Sequence, residues 1–419
     1  MPASERRYLV LRRVVVTGMG GLTALGHDWT AIGKNLRARV SSVKFMEEWS
    51  EFKDINTRLA APVAAYDLPP QYNRKSMRSM GPVAVMSTRA TELALDDAGL
   101  IKDPILTSGN TGIAYGACAG SAEPVVAFGR MASTGSLQGV TSNTYMQMMS
   151  HTGAVNISLF FGITGRIIPS SSACTSGSQA IGFAYETIKY GKQIAMIAGG
   201  AEELSLGPSA VFDTLFATST RNNAPHTTPR PFDRDRDGLV VGEGAATLIL
   251  EELEHALERG AHIYAEIIGF GCNADGSHIT QPKKSTMAAV MQLALEDASL
   301  APETIGYVNA HGTGTALGDI AESIATQHVL GKHMPISSLK SYFGHTLGAC
   351  GSLEAWLTIE MMRDNWFAPT INLENVDPEC AELDYLVDGG RSMQVENVMS
   401  NNFAFGGINT SLIFRRWGT

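Results

Sequence analysis

Short apolar runs alternate with amphipathic stretches along most of this chain, and glycine repeatedly closes the stretches. Residues 81–98, GPVAVMSTRATELALDDA, suit a helix that stops at Gly99. Residues 176–190, SGSQAIGFAYETIKY, set Ala180, Ile181, Ala184, Tyr185 and Ile188 at helical spacing before Gly191, a fitting C-cap. Gln193 to Ile197 then read as a strand. Over 243–271, ATLILEE, EELEHALERG and AEIIGFG give strand, helix and strand again. A helix at 286–299, a strand at 305–308, a helical stretch from 318 to 329 and a closing strand at 411–414 continue the pattern. Such alternation requires layered α/β packing. No low-complexity linker divides the chain, so any two-lobed arrangement must be tightly fused. No repeat is plain enough to establish a duplication.

Elsewhere the pattern is less regular. Val14 to Val16 read as a buried strand that Gly18, Gly20 and Gly21 turn. Residues 110–116 read as a strand. The Met-, Ser-, Thr- and Asn-rich segment 121–160 reads as mixed helices and loops.

Composition narrows the function classes. The 419 residues are 44% hydrophobic and only 17% charged, which disfavours disorder. A net charge of -9 without an extended basic tract argues against general nucleic-acid binding. The five cysteines, Cys118, Cys174, Cys272, Cys350 and Cys380, form no CxxC pair. Neither a zinc-site spacing nor a disulfide framework is supported, and a reducing, cytoplasmic setting is expected. Arginines stand at positions 6, 7, 12 and 13, but the apolar run after them is short and glycine-rich, unlike a secretory signal. No 18-residue apolar span occurs, so no membrane span is expected.

Four segments concentrate chemistry: SSACTSG at 171–177, NAHGTGT at 309–315, SLKSYFGHTLGACG at 338–351 and NNFAFGG at 401–407. Cys174 stands among small residues just before a predicted helix, where the helix N-terminus favours a thiolate. The competing reading is a small buried hydrophobe. His311 follows the strand IGYVNA, and His345 sits at a glycine turn before a predicted helix. Each also has a plain reading as a loop histidine satisfied by its own backbone. Lys340, on the strand-like ISSLK, requires a partner if it is buried, and Glu322 is the candidate. A thiol and two histidines in separate loops suit thioester exchange. The thiolate takes an acyl group, N–H donors hold the developing oxyanion, and two neutral imidazoles donate to an enolate oxygen. That chemistry requires no metal and no redox cofactor.

At these segments the chain resembles the elongating β-ketoacyl-[acyl-carrier-protein] synthases of the thiolase superfamily. The likeness runs from VVVTGMG at 14–20 to GGINTSLIF at 406–414 and includes RPFDRDRDGLVVGEGA at 230–245. The resemblance implies a thiolase-like five-layer αβαβα sandwich of two similar fused halves, divided as 1–254 and 255–419, and a homodimer. It implies that Cys174 is acylated, that His311 and His345 serve decarboxylation and condensation, and that Lys340 orders the charge network with Glu322 beside it. Phe405 matches the gate, and the N–H groups of Cys174 and Phe405 match the oxyanion hole. Thr280, Thr313 and Thr315 match pantetheine-facing residues. Ala119 falls where some members narrow the acyl tunnel with isoleucine. Arg74, Lys75 and Arg78 resemble the segment that docks an acidic acyl carrier protein, which brings its own phosphopantetheine. Gly314 and Ala316 replace the commoner Ser and Pro, and FAFGGIN replaces FGFGGTN.

Other readings meet obstacles in the same residues. A non-catalytic chain-length subunit usually lacks the cysteine. A degradative thiolase uses a second cysteine in place of one histidine arrangement. An initiating synthase pairs one His with one Asn. A ketosynthase of a specialised polyketide or polyene pathway shares all four motifs.

Overall fold

The computed structural model describes residues 11–418, so Arg6 and Arg7 lie outside the described residues. The first strand, β1 (Val14–Leu22), is buried throughout and runs straight through Gly18, Gly20 and Gly21. The expected turn is therefore absent, and packing explains why. A Cβ on Gly18 would stand 2.4 Å from the carbonyl oxygen of Ala94, and one on Gly20 would stand 2.7 Å from its nitrogen. The glycines let helix α1 (Pro82–Asp97) lie directly on the strand. Pro82 opens that helix, and Gly99, with φ +69°, follows its end.

After β2 (Thr111–Gly116), helices Ala122–Thr134, Thr144–Met148 and Thr152–Phe161 fill the irregular segment. β3 (Ile167–Ser170), α2 (Ser176–Lys189), β4 (Ala195–Glu202) and β5 (Gly244–Glu252) complete the first half. The second half runs through β6 (Ala265–Ala274), α3 (Lys284–Ala298), β7 (Ile305–Asn309) and α4 (Ala316–Leu330). It continues with β8 (Pro335–Ser337), α5 (Cys350–Arg363), β9 (Asn397–Phe403) and β10 (Ile408–Arg416).

Strand order exposes a duplication that the sequence hides. The first half is ordered β1-β5-β4-β2-β3 and the second β6-β10-β9-β7-β8. In each, two antiparallel pairings are followed by two parallel ones. Val14–Val16 pair antiparallel with Ala265–Ile267 and join the halves. With Asp384–Tyr385 at the far edge, the sheet has 11 strands.

Helices α2 and α5 pack on each other and touch strands of both halves, forming the middle layer. The outer layers are α1 with Thr152–Phe161 on one side and α3 with α4 on the other. These are the five layers that the resemblance implies. Every residue of α5 from Cys350 to Met362 is buried, as expected of a central helix. The equivalence of the halves brings chemistry together: Cys174 lies between β3 and α2, and His345 lies between β8 and α5.

Candidate active site

Cys174 sits in a loop that hydroxyls hold rigid. Ser172 N donates to Ser176 Oγ at 2.9 Å, and Thr175 Oγ1 donates to Ser172 O at 2.8 Å. Ala173 adopts a left-handed conformation at φ 52°, an unfavourable state for a residue with a side chain and one found at functional turns. The backbone N–H groups of Phe405 and of Cys174 itself favour the thiolate. Burial pushes the Cys174 thiol up, against the pull of those N–H groups and the Lys340 charge. Burial thus opposes the thiolate-favouring helix effect expected from sequence.

Carboxylates of α4 shape the HGTGT loop. Glu322 accepts from His311 N and Gly312 N, each at 2.7 Å. Asp319 accepts from Thr313 N at 3.1 Å and Gly314 N at 3.2 Å. Burial pushes Glu322 up to about 8 even against those donors. Glu322 thus supports the backbone and is not the hydrogen-bonded partner of Lys340.

That partner is Glu354 on α5, ion-paired with Lys340; both side chains have no exposed surface. Lys340 is also not on a strand. β8 ends at Ser337, and Lys340 opens a short helical turn to Phe343. Burial disfavours the Lys340 charge, but Glu354 together with Cys350 and Glu322 outweighs it and the net shift is upward. Asn402 Nδ2 donates to the other oxygen of Glu354 at 2.7 Å. The sequence reading missed Glu354 and Asn402. Their signals were a carboxylate in the apolar helix GSLEAWL and the second Asn of NNFAFGG.

His345 is fixed by its own turn. Gly344 has φ 68°, and a Cβ there would lie 2.6 Å from Val240 O. His345 N donates to Val240 O at 2.7 Å, and Leu347 N donates to His345 Nδ1 at 3.3 Å. Burial and the Lys340 charge hold both His311 and His345 well below the usual histidine range, so both rings are neutral. With Nδ1 accepting from Leu347, His345 carries its proton at Nε2. That buried Nε2 has no hydrogen-bond partner among the described residues. Asn402 Nδ2 faces His311 Nδ1 at 3.4 Å.

One ring nitrogen of each histidine and Cys174 Sγ lie within 4.8 Å of one another, as do atoms of His311, Cys350 and Glu354. The spacing alone admits a metal ion. A thiol beside two neutral imidazoles serves thioester exchange as well, with the rings as hydrogen-bond donors.

A cavity of about 510 Å³ opens over these groups. Cys174, His311, His345 and Phe405 line it, as do Thr280, Thr313, Thr315 and Glu322. Phe405 meets Phe212 edge to face at 5.9 Å. Lys340 is not on the wall and acts from behind it. Ala119 is exposed and outside the cavity, although Gly348, on the loop after His345, approaches the adjacent Cys118 nitrogen closely. Arg74, Lys75 and Arg78 are exposed and form no ion pair among the described residues.

Comparison with known proteins agrees with this arrangement. The family model "Beta-ketoacyl synthase, N-terminal domain" matches residues 11–256, and "Beta-ketoacyl synthase, C-terminal domain" matches 264–374. A 3-oxoacyl-[acyl-carrier-protein] synthase 2 of Vibrio cholerae is 39% identical over 97% of this chain and 99% of its own. The crystal structure of a Beta-ketoacyl synthase from Burkholderia phymatum superposes with a TM-score of 0.95 at 63% identity, covering 97% of this chain and 100% of the other. A type II polyketide ketosynthase in complex with its acyl-carrier protein superposes at 0.88 with 31% identity over the same shares. With its paired half-sheets and a thiol between two donor histidines, the chain belongs to the β-ketoacyl synthase family.

Proposed function

We propose that this chain catalyses decarboxylative Claisen condensation of an acyl thioester with malonyl-[acyl-carrier-protein], giving 3-oxoacyl-[acyl-carrier-protein] and carbon dioxide in fatty acid elongation. The observation that carries this reading is the pair of neutral imidazoles, each with a ring nitrogen within 4.8 Å of Cys174 Sγ. Cys174 attacks the incoming thioester carbonyl, the C–S bond to the carrier's phosphopantetheine breaks, and the cysteine proton passes to the departing pantetheine sulfur. The N–H groups of Cys174 and Phe405 stabilise the tetrahedral oxyanion. The malonyl thioester then loses carbon dioxide, and the enolate oxygen accepts from His311 and His345. The enolate carbon attacks the acyl carbonyl, and Cys174 leaves. Lys340 acts at a distance, favouring thiolate on Cys174 and neutrality on both histidines. Thr280, Thr313 and Thr315, which line the cavity, would hold the pantetheine arm.

The boundary between halves at 254/255 falls in the helix Leu253–Glu258, between β5 and β6. A homodimer is supported by the edge strand β3 and by Val125, Val126, Leu137, Tyr145, Leu159 and Ile167, all exposed on one stretch of chain. Ala119 lies at the start of that stretch, so the acyl tunnel would continue towards the second copy. An acidic carrier would dock at Arg74, Lys75 and Arg78, reversing the unfavourable overall charge locally. Among the described residues no helix is long and apolar enough to cross a membrane; a cytoplasmic setting accords with the unpaired cysteines.

The likeness to the polyketide ketosynthase keeps a specialised pathway as the second reading. Condensation assayed with malonyl-carrier and a ladder of saturated and unsaturated acyl-carriers separates the two. Elongation of ordinary acyl chains supports fatty acid synthesis, and turnover confined to polyene or polyketide intermediates contradicts it. In the same assay, His311→Ala and His345→Ala should impair decarboxylation more than acylation of Cys174.

A further inference from the structure

We propose that Asn402 is a positioning residue that sets the tautomer of His311, so that this ring presents Nε2–H to the substrate oxygen. The proposal deepens the condensing reading of the same site and rests on it. Asn402 lies in β9 and is fully buried. Its Nδ2 donates to Glu354 Oε2 at 2.7 Å, faces His311 Nδ1 at 3.4 Å and lies 3.7 Å from Cys350 Sγ.

The orientation of the amide follows from its neighbours. Turned over, its oxygen would face the Glu354 carboxylate, bringing two acceptors together with no hydrogen between them. Glu354 is itself held by Lys340. The ion pair therefore fixes the amide, and the amide presents hydrogen, not oxygen, to Nδ1. An imidazole that accepts at Nδ1 keeps its proton at Nε2. The reverse tautomer would turn a lone pair towards the enolate oxygen and repel it.

A second observation points the same way. Asn402 Oδ1 is buried without a hydrogen-bond partner among the described residues. A Cβ on Gly351 would stand 2.7 Å from it, so the oxygen is packed against backbone. An unpaired buried carbonyl opposes folding. The amide forgoes that bond while its donor side is engaged, as expected of a group kept for its donor. His345 needs no such residue, because the Leu347 backbone N–H holds its Nδ1.

The test combines a spectrum with two rates. Long-range ¹H–¹⁵N correlation on histidine-labelled enzyme reads each tautomer without substrate. His311 and His345 should both be Nε2–H in the wild type. Asn402→Asp places an acceptor against Nδ1 and should move the His311 proton there, leaving His345 unchanged. Asn402→Leu should leave His311 with a mixture. Release of carbon dioxide from malonyl-carrier should fall by up to about 10⁴-fold in Asn402→Asp, the scale of a wrong-tautomer histidine. Iodoacetamide alkylation of Cys174 should stay close to wild type. A wild-type His311 protonated at Nδ1, an unchanged His311 tautomer in both variants, or alkylation lost in step with decarboxylation would each overturn the proposal. If the wild type releases no carbon dioxide, the condensing reading fails while the tautomer assignment is still decided by the spectrum.

Discussion

Lys340 has no exposed surface, so water does little to weaken its field at Cys174, His311 and His345. The sequence made its burial conditional on a partner, and Glu354 was not legible as that partner, because fourteen positions and a change of element separate the two. Removing one member of a buried pair strands the other charge. Glu354→Ala should cost about 3–5 kcal/mol of unfolding free energy in a urea titration, and Lys340→Met with Glu354→Leu should recover most of it. Equal losses in the single and double variants would show that the charges do not interact. Lys340→Met should also slow iodoacetamide alkylation of Cys174 at fixed pH, since the ammonium favours the thiolate. The histidines give a sign for pH. Their folded values lie below the ordinary 6.5, so unfolded chains bind more protons as pH falls through that value. Stability from His311 and His345 is present above about 6.5 and lost below it. In a pH series of thermal midpoints, His311→Asn combined with His345→Asn should flatten the acid limb.

At the scale of elements, helical periodicity closed by a glycine located α1 and α2, and short apolar runs located strands such as β4. The reading ended β1 too early, because glycine there marks the close approach of α1 and not a turn. Gly18→Val should therefore lower the thermal midpoint strongly, since the new side chain meets the backbone of α1 at Ala94. A midpoint unchanged from wild type would mean that the helix and strand can separate there freely. The catalytic loops were legible for a different reason. Cys174, His311 and His345 sit in short runs of Gly, Ser and Thr whose composition has no purpose in a core. Which nitrogen of each ring carries a proton was beyond sequence, because Leu347 N and Asn402 Nδ2 decide it in space.

For the whole molecule, the duplicated strand order escaped the sequence because pairing direction and order depend on backbone hydrogen bonds that many side chains satisfy. The exposed apolar side chains between Val125 and Ile167 predict a dimer at working concentration by sedimentation, and a fully active monomer would contradict it. Reversing Arg74, Lys75 and Arg78 to Glu should weaken use of carrier-bound substrate in a salt-sensitive way while small pantetheine thioesters turn over normally. Equal loss on both substrates would place the carrier elsewhere. The central claim is that an acyl group on Cys174 becomes the electrophile for a malonyl-derived enolate, and a single turnover followed by intact-protein mass spectrometry tests it directly. Enzyme loaded with acyl-carrier and freed of excess should bear the acyl mass on Cys174. After malonyl-carrier is added, that mass should leave the enzyme and reappear on the carrier as a 3-oxoacyl group two carbons longer, with carbon dioxide released. Acyl mass that stays on the enzyme, moves to the carrier unextended, or first resides on another cysteine would contradict the account.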